Sequence, residues 1–170
     1  MQAEKTNGYL VLNTGTPDEP TIPALRRYLK QFLSDPDMLD YPATEPVESS
    51  KGFDVIKHKI ASVIRWGIVN LIVVPFRPGK IINKYKGIWT DEGSPLLVNT
   101  EKFVNKLKNY TNGNIEIGMR YGNPSIEHGI KKLMDNGTDK LFLVSMFPQY
   151  AEATSGSTFR EVYKVLDELD

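Results

Sequence analysis

The side chains best suited to chemistry gather in three polar stretches, each placed directly after an apolar run: Asn13-Thr14-Gly15-Thr16-Pro17, Met119-Arg120-Tyr121-Gly122-Asn123-Pro124, and Pro148-Gln149-Tyr150 continuing into Thr154 and Ser155. Arg77, Lys80, Lys84, Tyr85 and Ser94 add a fourth group between the first two. Tyrosine rings offer flat apolar contacts, and Arg and Lys meet carboxylates through charge-assisted hydrogen bonds. A planar macrocycle with carboxylate arms would use both. Taken singly, each basic residue reads equally as a solvated surface side chain and each tyrosine as a packed ring with a wet hydroxyl.

Several chemistries are disfavoured by pattern. Gly15 has no second glycine in G-x-G-x-x-G register and no G-K-[ST] follows, which argues against dinucleotide and P-loop phosphate binding. The two histidines, His58 and His128, have no Cys, His or carboxylate at a convincing ligand spacing, so no metal site and no catalytic residue is assigned. No nucleophile elbow or Ser-His-Asp set is present.

Alternating elements must position these residues. Gly8-Tyr9-Leu10-Val11-Leu12 reads as a buried parallel strand, and Ile22, Leu25, Leu29, Phe32 and Leu33 then recur at helical spacing until Asp35-Pro36 stops the helix. A second unit starts at Ile115-Glu116-Ile117-Gly118-Met119. Its helix is read with Asn123 as N-cap, Pro124 in the first turn, an apolar face of Ile126, Ile130 and Leu133, and a stop at Asn136-Gly137. A third strand, Leu141 to Met146, passes through the hydroxyl loop into a helix bearing Phe159, Val162, Tyr163, Leu166 and Leu169. Strands alternating with helices predict a three-layer, doubly wound α/β fold, a parallel sheet flanked by helices, with ligands beyond the carboxyl ends of the strands. An insertion spans about residues 41–110 and ends in a packing helix through Phe103, Val104 and Leu107. Residues 60–76 within it are almost wholly apolar but too short and interrupted to cross a membrane. They read either as a hydrophobic lip that guards a ligand or touches a membrane surface, or as a helix packed in the core.

Composition sets the remaining bounds. At 170 residues, 40% of them hydrophobic, the chain supports one domain with a core. The absence of cysteine fits a reducing compartment, and the polar residues 1–7 lack the apolar core of a signal peptide, so the expected location is cytoplasmic. Net charge is zero, yet residues 51–86 hold eight Lys or Arg against one acid, Asp54, giving +7 there and −7 elsewhere. Such a segment suits an anionic small molecule, an anionic membrane surface or plain solvation; nucleic acid is disfavoured, since no stacking aromatics or helix-turn-helix accompany the charge.

Leu12-Asn13-Thr14-Gly15-Thr16-Pro17-Asp18, Arg26 to Pro36, Ile88-Trp89-Thr90-Asp91-Glu92-Gly93-Ser94-Pro95-Leu96, Met119 to Ser125 and Pro148-Gln149-Tyr150 together resemble, in order, the N-terminal half of the ferrochelatase family. The resemblance implies a porphyrin-binding α/β domain of an enzyme that inserts Fe²⁺ into a porphyrin in heme biosynthesis, with Fe²⁺ as substrate and no organic cofactor. It implies that Thr14, Arg77, Lys84, Tyr85, Ser94, Arg120, Tyr121 and Tyr150 line the porphyrin side of the cleft. It also implies that metal-handling residues belong to a second domain beyond Asp170, that this chain alone is inactive, and that a sheet edge is left unpaired and open to self-association. The alternative reading is a non-catalytic tetrapyrrole-binding or carrier module.

Overall fold

The computed structural model of the chain describes residues 6–38 and 67–169. Strand β1 (Asn7–Thr16) leads to helix α1 (Ile22–Ser34). A π-helical run (Ile68–Val73) passes into α2 (Val74–Ile88), followed by α3 (Pro95–Leu107) and β2 (Asn114–Gly122). The chain ends with α4 (Ile126–Asp135), β3 (Lys140–Ser145), a π-helical turn (Glu152–Gly156) and α5 (Ser157–Leu169).

The three strands form one parallel sheet in the order β2-β1-β3, with Val11 level with both Ile117 and Val144. Alternation along β1 divides the core, as a pleat requires. Leu10 and Leu12 pack with Ile126, Ile130 and Leu133 of α4 and Val162 and Val165 of α5, whereas Val11 packs with Ile115 of β2 and Val104 of α3. The expected three-layer α/β sandwich is therefore present, and α3 is one of its layers. Leu10, Val11 and Leu12 are fully buried because the central strand is covered on both faces.

Local chemistry explains the helix boundaries. Thr21 caps α1, its side chain accepting from the Ala24 amide, and Pro23 occupies the first turn, where no amide is needed. The cap of α4 differs from expectation: it is Ser125, whose Oγ accepts from the His128 amide at 3.1 Å, while Asn123 and Pro124 stay outside the helix. Residue type alone favoured Asn123, but the Met119 amide bonds the Pro124 carbonyl at 2.7 Å and delays the helix by two residues.

Two of the three polar stretches are likewise not loops. β1 and β2 continue pairing through Gly15 opposite Tyr121 and Thr16 opposite Gly122, so Thr14, Arg120 and Tyr121 sit on strands. Gly15 makes this possible: its φ is 100°, and a Cβ there would lie 1.8 Å from the Tyr121 carbonyl oxygen. The stretch after β3 is also more ordered than a loop, forming a π-helical turn that runs directly into α5.

Of the apolar segment 60–76, residues 60–66 lie outside the described residues. Both readings of the remainder have a part. Val69 and Val74 are buried against Leu29 and Leu33 of α1, while Leu71 and Phe76 are exposed. Among the described residues, no helix is long and apolar enough to cross a membrane.

Candidate functional site

The carboxyl ends of the three strands meet at one edge of the sheet, and a buried carboxylate organises it. Asp35, just past α1, has a side chain only 2% exposed. Its Oδ2 accepts from the Arg120 guanidinium at 2.7 Å, the Tyr121 hydroxyl at 2.6 Å and the Ser157 hydroxyl, and its Oδ1 accepts from the Asp37 amide at 2.9 Å. Burial alone would raise this carboxyl; the bonds from Ser157, Tyr121 and Asp37 and the Arg120 charge outweigh it and hold Asp35 below the ordinary carboxylate range. Four donors on one carboxylate tie α1, β2 and α5 into a single polar joint.

Arg120 is equally committed. Besides Asp35 it bonds the Ser157 hydroxyl through Nε at 2.8 Å, reaches Glu161 at 3.3 Å through Nη1, and lies 4.9 Å from the Tyr121 ring centroid. The Tyr121 ring is buried edge-on against Phe32 and Tyr28, at 5.2 and 6.4 Å between centroids. Burial, then the Asp35 carboxylate, pushes its hydroxyl far above the ordinary phenol range, so Tyr121 is a fixed donor. Arg120, Tyr121 and Asp35 line a cleft of about 380 Å³ together with Gln31, Ser125 and Glu161.

The other expected residues occupy different places. Ser94 is buried at the start of α3, its hydroxyl 2.8 Å from that of Thr16, and this bond pins α3 to the end of β1. Thr14, two residues earlier, is half-buried. Its neighbour Asn13 donates to the Thr100 hydroxyl at 3.2 Å. Tyr28 donates to the Gly15 carbonyl at 3.4 Å, and burial, with Tyr85 nearby, pushes its hydroxyl up to about 12. Burial also raises Tyr85, against the pull of the Arg77 charge. Arg77 and Lys84 are exposed on α2, with Lys80 and Lys86, in a helix that contains no acid. Tyr150 is exposed after β3 and donates to Glu152 at 2.8 Å.

The structure therefore joins Arg120 to Tyr121 directly, places Arg77 within electrostatic reach of Tyr85, and ties Tyr150 through Glu152 and Arg160 to Asp37, two residues from Asp35. Asp35 and Ser157 are the members the sequence reading missed. Asp35 served there only as a helix stop. His128 is exposed and His58 lies outside the described residues; among the described residues, no group of three His, Cys, Asp or Glu could hold a metal.

Comparison with known proteins is consistent with this frame. The family model for ferrochelatase matches residues 6–170. The ferrochelatase of Coxiella burnetii (strain RSA 493 / Nine Mile phase I) is 41% identical over 157 residues, covering 91% of this chain and 39% of its own length. That of Chromobacterium violaceum is 40% identical over 173 residues, covering 98% and 42%, and that of Herminiimonas arsenicoxydans 39% identical over 160 residues, covering 91% and 38%. The chain spans about two fifths of the length of these curated relatives. With the match running from Thr6 to Asp170, through the strand ends that carry Asn13 and Arg120 and the segment after β3 that carries Tyr150, the chain belongs to the ferrochelatase family.

Proposed function

We propose that this chain forms the porphyrin-binding wall of a protein that inserts Fe²⁺ into a porphyrin in heme biosynthesis. The observation that carries the reading is the pre-ordered Asp35–Arg120–Tyr121 joint at the carboxyl edge of a parallel sheet, in a member of the ferrochelatase family. A charged group held by four partners before any ligand arrives keeps its geometry while a substrate ring is bent, and holding a distorted substrate draws on such rigid binding contacts.

In this reading Thr14, Ser94 and Tyr85 belong to the wall near β1, Arg77 and Lys84 meet the carboxylate arms, and Tyr150 offers its ring from the β3 side. Arg120 and Tyr121 act mainly by fixing the strand end, since most of their donors are already used. The basic stripe on α2, beside exposed Leu71 and Phe76, also fits a peripheral contact of the 60–76 region with an anionic membrane surface. β3 is an edge strand among the described residues, and its outer edge offers a place for self-association. The metal-handling side chains belong to a part of the protein beyond these residues.

The decisive experiment expresses the full-length gene that encodes this chain and follows metalloporphyrin formation by absorbance with Fe²⁺ or Zn²⁺ and protoporphyrin IX. Turnover is expected there and none from residues 1–170 alone. Stoichiometric porphyrin binding without any metal insertion by the full-length protein would replace the enzyme reading with that of a tetrapyrrole carrier.

A further inference from the structure

A second polar cluster lies outside the Asp35 joint, on the surface that carries Tyr150. Arg160, in the first turn of α5, reaches two carboxylates from different parts of the chain. Its Nε and Nη2 meet Asp37 Oδ2 at 2.9 and 2.7 Å, and its Nη1 meets Glu152 Oε2 at 2.8 Å. Its Nη2 also donates to the Glu152 carbonyl at 3.3 Å. The other carboxylate oxygen of Glu152 accepts from the Tyr150 hydroxyl at 2.8 Å. One guanidinium thus links the Asp35-Pro36-Asp37 turn, the start of α5 and the segment that presents Tyr150.

One feature argues that this is a built contact and not incidental surface pairing. Gly156 lies directly beneath: a Cβ there would fall 2.9 Å from Glu152 Oε2, 3.0 Å from the Tyr150 hydroxyl and 3.2 Å from Arg160 Nη2. The three side chains close over the one residue that leaves them room.

We propose that Glu152 and Arg160 are positioning residues, a clasp that fixes Tyr150 against the Asp37 turn so that its ring is presented to the tetrapyrrole in one orientation. The inference rests on the reading of Tyr150 as part of the porphyrin wall. In the clasp, the hydrogen bond to Glu152 raises the Tyr150 phenol above its ordinary range, while the hydrogen bond from Arg160 lowers Glu152. The tyrosine therefore reports on the clasp independently of any ligand.

The test uses the full-length protein and four variants, Tyr150→Phe, Glu152→Gln, Arg160→Ala and Gly156→Ala. Phenolate absorbance is titrated, with Tyr150→Phe assigning the signal, and protoporphyrin IX affinity is measured by fluorescence. Tyr150 is expected to ionise at lower pH in Glu152→Gln and in Gly156→Ala, the latter displacing the clasp without removing a polar group. Affinity is expected to fall about fivefold in each, the scale of one exposed ion pair. In the Tyr150→Phe background the same substitutions should cause no further loss, because positioning through Tyr150 is non-additive while a purely structural role is additive. An unmoved phenol titration, or full additivity, overturns the clasp. If Tyr150→Phe leaves porphyrin affinity unchanged while the titration shifts as expected, the clasp stands as a contact but the wall reading of Tyr150, and with it the proposed role, is lost.

Discussion

The protein deploys its cations in two contrasting ways. Arg120 is 17% exposed, and its donors go to Asp35, Ser157 and Glu161; Arg77, Lys80 and Lys84 lie exposed along α2, and no ion pair joins them to a described residue. The difference follows from the cost of desolvation. A buried guanidinium must be matched by a carboxylate and hydrogen bonds, whereas an exposed one keeps its water and stays available. The first region is architecture at the edge of the site; the second is capacity for an anionic partner.

Removing Asp35 strikes the architectural side hardest. Asp35→Ala leaves Arg120 without its main counter-charge and strands the Tyr121 and Ser157 hydroxyls, so the expected loss is about 3–5 kcal/mol of unfolding free energy by urea titration. A loss below about 1 kcal/mol would mean that the joint is dispensable and the contrast with α2 is false.

The next effect is smaller and confined to one helix. Ser94→Ala leaves the buried Thr16 hydroxyl without its partner, at a cost of about 1–3 kcal/mol, while Ser94→Ala combined with Thr16→Val should be milder than the sum. Additive losses in the same denaturant measurement would show that the two hydroxyls do not act as a pair.

Within the architectural region, pH separates two groups by sign. Asp35 titrates below its unfolded value, so its contribution is fully present above about pH 4 and is lost as pH falls through the folded value. Tyr28 is raised to about 12, so its contribution is fully present below about pH 10 and is lost between there and pH 12. Asp35→Asn should flatten the acid limb of a stability profile and Tyr28→Phe the alkaline limb. Parallel limbs in variant and wild type would remove these groups as the source.

The smallest change in stability, and the sharpest test of the contrast, belongs to α2. Replacing Arg77, Lys80 and Lys84 together by Gln should alter unfolding free energy by about 0.5 kcal/mol per site or less. The salt dependence of binding to protoporphyrin IX, or to vesicles containing phosphatidylserine, should fall in the same variant. Unchanged salt dependence in both assays would leave the stripe as a solvated surface.

Much of this was readable before any coordinates. The apolar run at Tyr9–Leu12 announced a buried central strand, because a strand covered on both faces cannot alternate. The run at Leu141–Val144 announced a strand too, but its residues are only half-buried because β3 is an edge strand among the described residues. Helices α1 and α5 declared themselves by helical spacing. The strand ends were harder. Asn13, Thr14 and Arg120 are polar, and polarity normally marks a loop, but here the carboxyl edge supplies side-chain partners that let pairing continue. Asp35 was illegible for a related reason: nothing local distinguishes an acid that ends a helix in water from one that three distant side chains enclose. The choice between Asn123 and Ser125 as cap turned on a strand-to-turn backbone bond that residue types do not record.

The placement of β1 carries a consequence for how the chain reaches this state. It lies between β2 and β3, so its register partners begin at Asn114 and Lys140, and the two later strands do not touch each other without it. On a ribosome adding about 5–20 residues per second, the apolar Tyr9–Leu12 segment waits roughly ten seconds before both neighbours exist. Sequence-distant pairing of this kind slows folding. The same arrangement makes β1 a keystone in time as well as in space: removing Asn7–Thr16 would not shave an edge but would divide the sheet, and a stalled chain would hold its stickiest strand unpaired until the last of its partners emerged.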